Sequence, residues 1–384
     1  MQRILFVDDE RNVLGGLRRM LHGLRREWLM EFAASGSEAL EQLARQPFDV
    51  VVTDMRMPGM DGSELLCRVQ ERFPKLVRIV LSGQCDRLEV LKAVGPAHQF
   101  LTKPCDSEIL KAALRRTCRL RDRMTAARPM ELVSRIESIS CLPDSLATLA
   151  RACAAATDSD KPIAQLVASE PGVAARVLQL VNSGFFGSPR ATVDPTHAAE
   201  LLGQERLREL LDSSRAFSMV PAADALLGYL AGTIEHSRAV AAGACRIAKL
   251  ESDDPRLIAD ARWGGLLHDI GLLALIQQAP ECIADLWSVS AVDAPYVLEA
   301  EQALFDADHA AMGAYLLALW GLPDSLVEIA AFHHSPSESD DGSFSDLTAV
   351  HVADALTRGD PFTLDEPYLE RIGKTDRVRA WIDT

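Results

Sequence analysis

The sequence predicts two folds in series: a doubly wound α/β domain with a parallel five-stranded sheet, then an all-α domain. Three observations carry this. The run Val50-Val51-Val52-Thr53 ends in Asp54 and is stopped by Pro58, the pattern of a strand buried on both faces of a parallel sheet. Around it, short apolar strands alternate with helical patterns as far as about residue 123. From Glu131 to about Asp360 apolar positions recur every three or four residues, punctuated by Pro143, Pro171, Pro195, Pro255, Pro295 and Pro323.

In order, Ile4 to Val7 reads as a strand and Asn12 to Leu24 as a helix. Glu31 to Ala34 is a short strand, and Ser37 to Ala44 a helix with Ser37 as N-cap. Val50 to Thr53 is the central strand, and Gly62 to Arg72 is helical. Val77 to Leu81 is a strand, Asp86 to Val94 a helix and Gln99 to Leu101 the last strand. Asp106 caps a helix that runs to about Arg123. The basic stretch Arg115 to Arg128 continues it outward as a connector, until Pro129 blocks it.

Beyond Pro129, Ile163 to Val167, Val173 to Val181, Ala198 to Leu211 and Ala239 to Leu250 are helical, and no strand is predicted. The polar stretch Ser335 to Ser345 reads as a mobile loop. The expected division is a first domain over 1–123, a helical linker over 124–132, a helical domain over 133–360 and a tail over 361–384. That tail is either a short helix packed on the second domain or frayed.

Composition narrows the partners. The net charge of −15 is uneven: residues 1–124 hold 21 Lys+Arg against 17 Asp+Glu (+4), and the remainder 19 against 38 (−19). A body so acidic is a poor match for sequence-independent nucleic-acid binding. The eight cysteines are scattered with no C-x-x-C, which points to reduced thiols in a cytoplasm. No apolar run approaches the ~20 residues of a membrane span. The N-terminus runs straight into a strand rather than a signal peptide, so a cytoplasmic protein is expected.

Polar residues collect at the strand ends. Asp8 and Asp9 follow the first strand, Asp54 the third, Ser82 the fourth and Lys103 the fifth. In an open α/β sheet the working residues sit at these carboxyl ends. Converging carboxylates suit Mg²⁺, and a hydroxyl with an ammonium suits the oxygens of a phosphoryl group. The chemistry is a carboxylate nucleophile, Asp54, accepting a phosphoryl group with metal help. Singly, each residue is a helix cap or turn residue; five in this order are not.

This region resembles the flavodoxin-like receiver domain of two-component response regulators. The resemblance rests on Val7-Asp8-Asp9-Glu10, Asp54 with Met57-Pro58-Gly59-Met60-Asp61-Gly62, Leu81-Ser82-Gly83 and Phe100-Leu101-Thr102-Lys103-Pro104. It implies Asp54 as phosphoacceptor, Asp9 as direct Mg²⁺ ligand, Asp8 acting through water and the Arg56 main-chain carbonyl as a further ligand. Ser82 and Lys103 would hold phosphoryl oxygens, and Phe100 would be the aromatic switch. The domain would catalyse its own phosphorylation from a donor, a sensor histidine kinase.

In the helical part, His236, His268-Asp269, His309, His333-His334 and His351, one turn before Asp354, lie on neighbouring predicted helices. Singly, each reads as a satisfied buried or capping histidine. As an ordered set they are a workable shell for one or two transition metals such as Mn, Fe, Ni or Zn, able to activate water against a phosphodiester. His22, His98 and His197 have no partners in sequence and read as structural.

The part from 131 to 335 resembles the HDOD family, the output branch of the HD-like phosphohydrolases. Its carriers are Ile139-Ser140-Cys141-Leu142-Pro143, Ser169-Glu170-Pro171, the run Leu180 to Gly187, Leu201-Leu202-Gly203 and Leu319-Trp320-Gly321-Leu322-Pro323 with His333-His334. The resemblance implies an all-α HD-like fold acting as a signalling module. Its catalytic relatives hydrolyse phosphodiesters, including cyclic di-GMP. Against those relatives His236, His268, Asp269, His309, His333, His334 and Asp354 have counterparts.

Three departures stand out. Leu272 replaces the expected lysine, so a cation for a phosphate is missing; His334 is followed by Ser335-Pro336-Ser337 rather than Gly-Tyr-Pro; and Gly232 replaces a glutamate ligand, with Glu235 a quarter-turn off. They favour a metal-holding or ligand-sensing fold over an efficient enzyme. The expected function is a response regulator in which phospho-Asp54 controls an HDOD output that acts on downstream signalling proteins or a ligand. The repacking face, Asp86 to Arg119, would meet the output domain or a second copy in a homodimer. The alternative is a metal-dependent phosphodiesterase acting on a cyclic dinucleotide. No DNA-binding module is left over.

Overall fold

The computed structural model describes residues 1–83, 94–105, 107–123, 127–155, 161–183, 191–213, 216–220, 224–289, 294–359 and 364–382. Of the expected features, residues 86–93 of the Asp86 helix, Asp106 and residues 124–126 of the linker lie outside these.

The first domain comprises β1 (Gln2–Val7), α1 (Arg11–Met20), β2 (Trp28–Ala33), α2 (Gly36–Arg45), β3 (Val50–Thr53), α3 (Gly62–Arg72), β4 (Val77–Gly83) and β5 (Gln99–Lys103). The strands are all parallel in the order β2-β1-β3-β4-β5. Every residue of β3 is buried, as expected of a β-branched run covered on both faces. Strand β2 begins at Trp28 rather than Glu31, because Trp28 pairs with Gln2 at the start of β1.

Ser35, not Ser37, caps α2. Its hydroxyl accepts the Glu38 N–H at 3.2 Å, and the Glu38 carboxylate reaches back to the Ala34 N–H at 2.8 Å. The reciprocal pair places the helix start two residues before the expected one.

Helix α4 (Ser107–Arg123) leaves the sheet, and α5 (Ala127–Ser134) follows. Pro129 lies in the first turn of α5, where a missing N–H costs nothing, instead of ending a helix. The second domain then opens with β6 (Ile139–Cys141), α6 (Pro143–Ala154), α7 (Lys161–Val167), α8 (Pro171–Asn182), α9 (Pro195–Leu202), α10 (Gln204–Asp212) and β7 (Phe217–Met219). The expected helix from Ala198 to Leu211 is divided at Gly203, whose φ of 80° only glycine adopts readily. Strands β6 and β7 form a parallel pair that the sequence did not suggest. Each is three residues long, too short for a periodic signal.

The rest is helical: α11 (Asp224–Glu251), α12 (Pro255–Leu267), α13 (Ile270–Gln278), α14 (Pro280–Val289), α15 (Ala294–Phe305), α16 (His309–Leu319), α17 (Asp324–Phe332) and α18 (Asp346–Arg358). The tail holds α19 (Glu366–Arg371) and α20 (Val378–Ile382). It does not fray. Trp381 is buried and donates Nε1–H to Glu251 at 3.0 Å, while Lys374 and Arg377 hold the same carboxylate at 2.6 and 2.7 Å.

The expected mobile loop is also pinned. Ser337 donates through its N–H and its hydroxyl to Asp365 at 2.9 and 2.7 Å, and Arg371 caps the Ser337 and Ser339 carbonyls. Sequence polarity signalled a loop, but these partners lie about thirty residues away.

The two domains pack tightly. Arg78 on β4, fully buried, donates to the Ser134 carbonyl of α5 and lies 2.8 Å from Nε2 of His98, which is therefore an interface residue. Arg176 of α8, also fully buried, donates to the Val94 carbonyl at 3.2 Å and stacks 4.1 Å from the Trp320 ring centroid. Arg116 of α4 pairs with Asp324 at 3.1 Å.

Candidate functional site

Parallel strands in register deliver their carboxyl ends to one edge of the sheet. Asp8 and Asp54 are nearly buried there, Ser82 is fully buried and Asp9 is exposed. Lys103 Nζ lies 2.7 Å from Asp8 Oδ2 and also bonds Asp54 Oδ1. The Arg56 N–H fixes the other oxygen, Asp54 Oδ2, at 2.9 Å, and the Glu10 N–H holds Asp8 Oδ1 at 2.9 Å. Burial pushes the Asp54 carboxyl up from its ordinary value; Lys103 opposes that rise and Asp8 adds to it. A cleft of about 450 Å³ opens beside it, lined by Asp9, Arg56, Asp61 and Ser63 among others. Phe100, two residues along β5 from His98, is buried. This geometry offers an oriented carboxylate with one cation at hand.

The second cluster lies at the centre of the helical domain. His236 comes from α11, His268-Asp269 from the α12–α13 corner, His309 from the first turn of α16, His333-His334 from the end of α17 and Asp354 from α18. Asp308 caps α16 through the Ala311 N–H at 2.8 Å and so sets His309. Helix α13 approaches α16 closely at Gly271, where a Cβ would overlap the His309 carbonyl. That approach brings Asp269 to His309.

The ligand atoms fall into two groups, each within 4.8 Å: Asp269, His309, His333 and His334; and His236, His268 and Asp354. Asp269 faces both. Its Oδ1 lies 3.3 Å from His309 Nε2 and 3.5 Å from His333 Nε2, while its Oδ2 lies 3.2 Å from His268 Nε2 and 3.9 Å from His236 Nε2. Asp354 Oδ1 is 2.7 Å from His236 Nε2.

Three histidines share one orientation. His268 Nδ1 is 2.8 Å from the Gly265 carbonyl, His333 Nδ1 is 3.0 Å from the Ala330 carbonyl and His309 Nδ1 is 2.8 Å from the Glu301 carboxylate. Each acceptor demands a proton on Nδ1, so the neutral ring presents its Nε2 lone pair to the centre. His268 Nε2, His333 Nε2 and Asp269 Oδ1 are buried and make no hydrogen bond there. Orphaned buried acceptors converging on one point fit a divalent cation. His351 serves from behind: its Nδ1 meets the His333 carbonyl at 2.7 Å and its Nε2 accepts the Asp365 N–H at 2.9 Å.

The same carboxylates that would hold a cation also attract protons, which a metal would displace from the ring nitrogens. Burial alone would lower His268, but the Asp269 and Asp354 carboxylates hold it up at about 9. Burial would raise Asp269, yet His268, His309 and His333 draw it well below the usual carboxylate range. His334 is pushed well down by burial and by its neighbours His333 and His309.

Two members of the site were missed in the sequence. Glu301 is fully buried and takes both the N–H and the Nδ1 of His309; nothing distinguishes it from Glu299 in an apolar helix. Arg358 did leave a signal, standing four residues after Asp354, where a helix pairs opposite charges. Its Nε is 2.9 Å from Asp354 Oδ1 and its Nη2 3.8 Å from Asp269 Oδ2. Leu272 is buried and apolar, but the site does not lack a cation: Arg358 supplies one. Gly232 and Glu235 are both exposed on α11.

Residues 139–336, just over half of the chain, match the HDOD domain family. The chain belongs to that family. Residues 4–115 match the response regulator receiver domain, so the protein is a two-component response regulator with an HDOD output domain. Similar proteins include the hydrogenase transcriptional regulatory protein HoxA of Cupriavidus necator, 41% identical over 26% of this chain and 21% of that one. An uncharacterized protein of Treponema pallidum is 29% identical over 53% of this chain and 39% of its own. The chain spans 21 to 39% of the length of these relatives.

Among solved structures, the signal receiver domain of an HD domain-containing protein from Pseudomonas fluorescens Pf-5 is 32% identical, with a TM-score of 0.30, covering 32% of this chain and 98% of that one. The MmoQ response regulator of Methylococcus capsulatus is 20% identical over 63% of this chain and 91% of its own, with a TM-score of 0.48. Among the described residues of the HDOD protein, no helix is long and apolar enough to cross a membrane.

Proposed function

We propose that phosphorylation of Asp54 by a sensor histidine kinase switches an HDOD domain whose histidine–aspartate cluster holds one or two transition-metal ions. The observation that supports the metal reading most is the shared tautomer: three Nε2 lone pairs fixed toward Asp269 by acceptors on Nδ1. Mn, Fe, Ni or Zn would be held by Asp269, His309, His333 and His334 on one side and His236, His268 and Asp354 on the other.

In the receiver, Asp8, Asp9, Asp54 and the Arg56 carbonyl would hold Mg²⁺, which supplies charge neutralisation to phosphoryl oxygens. An Asp54 oxygen forms the new O–P bond as the P–N bond to the donor phosphohistidine breaks. Lys103 and Ser82 take the phosphoryl oxygens. The phosphoryl group brings ~1.5–2 negative charges in place of the one that the Asp54 carboxylate gives up, which draws Ser82 and Lys103 inward and rearranges β5 around Phe100. The output passes to downstream signalling proteins by repacking of the two domains, or of a homodimer.

A second reading, hydrolysis of a cyclic dinucleotide, is favoured by Arg358. A bound transition metal there would supply Lewis acidity toward a phosphodiester. Arg358 would leave Asp354 to grip a phosphate oxygen, and Asp269 would hold the reacting groups in place.

The test is elemental analysis of the purified full chain beside Asp269→Ala. Near-stoichiometric Mn, Fe, Ni or Zn that falls in the variant is the expected result. Protein purified under metal-preserving conditions with none of these metals ends the metal reading. Turnover of cyclic di-GMP by the loaded protein then separates hydrolysis from sensing.

A further inference from the structure

A cleft of about 540 Å³ lies between α11 and α12, its rim reaching α7 and the start of α9. Three arginines line it, Arg238 and Arg246 from α11 and Arg262 from α12, and no aspartate or glutamate does. In a region carrying −19 this is a local reversal of sign. Among the described residues, neither Arg246 nor Arg262 has a carboxylate partner. Arg262 instead lies over the buried Trp263, 4.5 Å from the ring centroid, and both residues line the cleft. Arg238 is oriented by its bond to the Ser169 carbonyl, with Glu170 3.8 Å from Nη2. Ala241 and Ala242 form a shallow floor between the arginines.

We infer that this cleft binds a small phosphate-bearing ligand, a nucleoside phosphate, with the phosphate between Arg238 and Arg246 and the base over Arg262. Guanidinium forks match phosphate oxygens in pairs, and a guanidinium plane stacks on an aromatic face. Eight residues of helix set Arg238 and Arg246 about 12 Å apart along the axis and about 80° apart around it, so both guanidiniums can reach a phosphoryl or pyrophosphate group laid between them. A cleft of 540 Å³ accommodates a mononucleotide, and lies within the ~300–1,000 Å³ usual for small-ligand sites. It is separate from the histidine cluster. Two residues turn a helix by about 200°, so Arg238 stands on the face of α11 opposite His236. Because α11 carries His236 and α12 leads into His268 and Asp269, a ligand bridging the two helices clamps the back of that cluster.

The experiment is calorimetric titration of the full chain in EDTA with GDP, ADP and inorganic pyrophosphate. Saturable one-to-one binding of a nucleotide is expected, weakened at least tenfold in Arg246→Gln/Arg262→Gln and unchanged in Lys249→Gln, which removes an exposed cation of α11 outside the cleft. Both arginines are exposed, and a matching thermal midpoint verifies that the double variant is folded. No saturation with any probe overturns the inference, as does wild-type affinity in the double variant. Loss of binding in Asp269→Asn would place the ligand at the histidine cluster instead. Pyrophosphate binding as tightly as both nucleotides would overturn the nucleoside assignment.

Discussion

Gln179 of the HDOD domain donates its side-chain amide to the main-chain carbonyl of His98 at 2.9 Å, two residues before Phe100 on β5. Gln179 is itself held by Arg176, whose Nη1 is 2.7 Å from its Oε1. The output domain therefore grips the strand that ends in Lys103. A change at Asp54 that moves β5 is felt by α8 directly, and the reverse holds by linkage.

Gln179→Leu removes the side-chain hydrogen bond to the His98 carbonyl, a cost of about 0.5–1.5 kcal/mol. Urea denaturation should show that loss, and hydrogen exchange should show weaker protection of residues 97–101. Unchanged protection would mean that the sheet alone holds β5.

Lys103→Met should slow labelling of Asp54 by phosphoramidate at least tenfold. Without the ammonium, burial and Asp8 raise the Asp54 carboxyl further and no cation meets the incoming phosphoryl oxygens. Asp54→Asn should take no label on a phosphate-affinity gel with Mg²⁺ present; label in that variant would place the acceptor elsewhere.

Glu301→Gln keeps an acceptor for His309 but removes its charge, and Glu301→Ala removes both. Outer partners of metal-ligating histidines are worth about 10–100-fold in affinity, so the alanine variant should lose more than the glutamine. Competition against a chromogenic chelator measures this. Equal affinities in all three proteins would show that His309 is not a ligand.

Two buried carboxyls set a pH dependence. Burial lifts Glu170 from 4.5 to about 7, and burial with nearby Asp260 lifts Asp346 from 3.8 to about 7. A carboxyl whose folded value is raised binds its proton more tightly in the native state, so its stabilisation is complete at low pH and is lost as pH rises through about 7. The thermal midpoint should fall between pH 5 and 7.5 by several degrees, at ~1–2 °C per kcal/mol for a chain of this size. Glu170→Gln with Asp346→Asn should flatten the profile; a wild-type curve already flat over that range would contradict the assignment.

The receiver was legible because its signals are local. The β3 run, the polar residues at successive strand ends and the helix of Gly62–Arg72 are each complete within a few residues. The histidine cluster was legible as a set of residue types, since the seven named ligand positions all converge. What escaped depends on distant partners. Ser337 is tied down by Asp365, β6 pairs with β7, and His98 is enclosed by Arg78 and α5, none of which leaves a periodic trace. Glu301 was hidden because burial, not identity, separates it from the other carboxylates of its helix.

The guanidinium of Arg78 finds its acceptors partly within the receiver and partly at Ser134 beyond it. A receiver grafted onto a foreign output would keep that cation but lose the Ser134 carbonyl, and the HDOD half would carry Arg176 without the Val94 carbonyl. Each half of such a hybrid would bring a buried charge short of a partner. Exchange between proteins of this kind should therefore succeed when the segment from β4 through α8 travels as one cassette, and fail when the cut falls at the connector between α4 and α5.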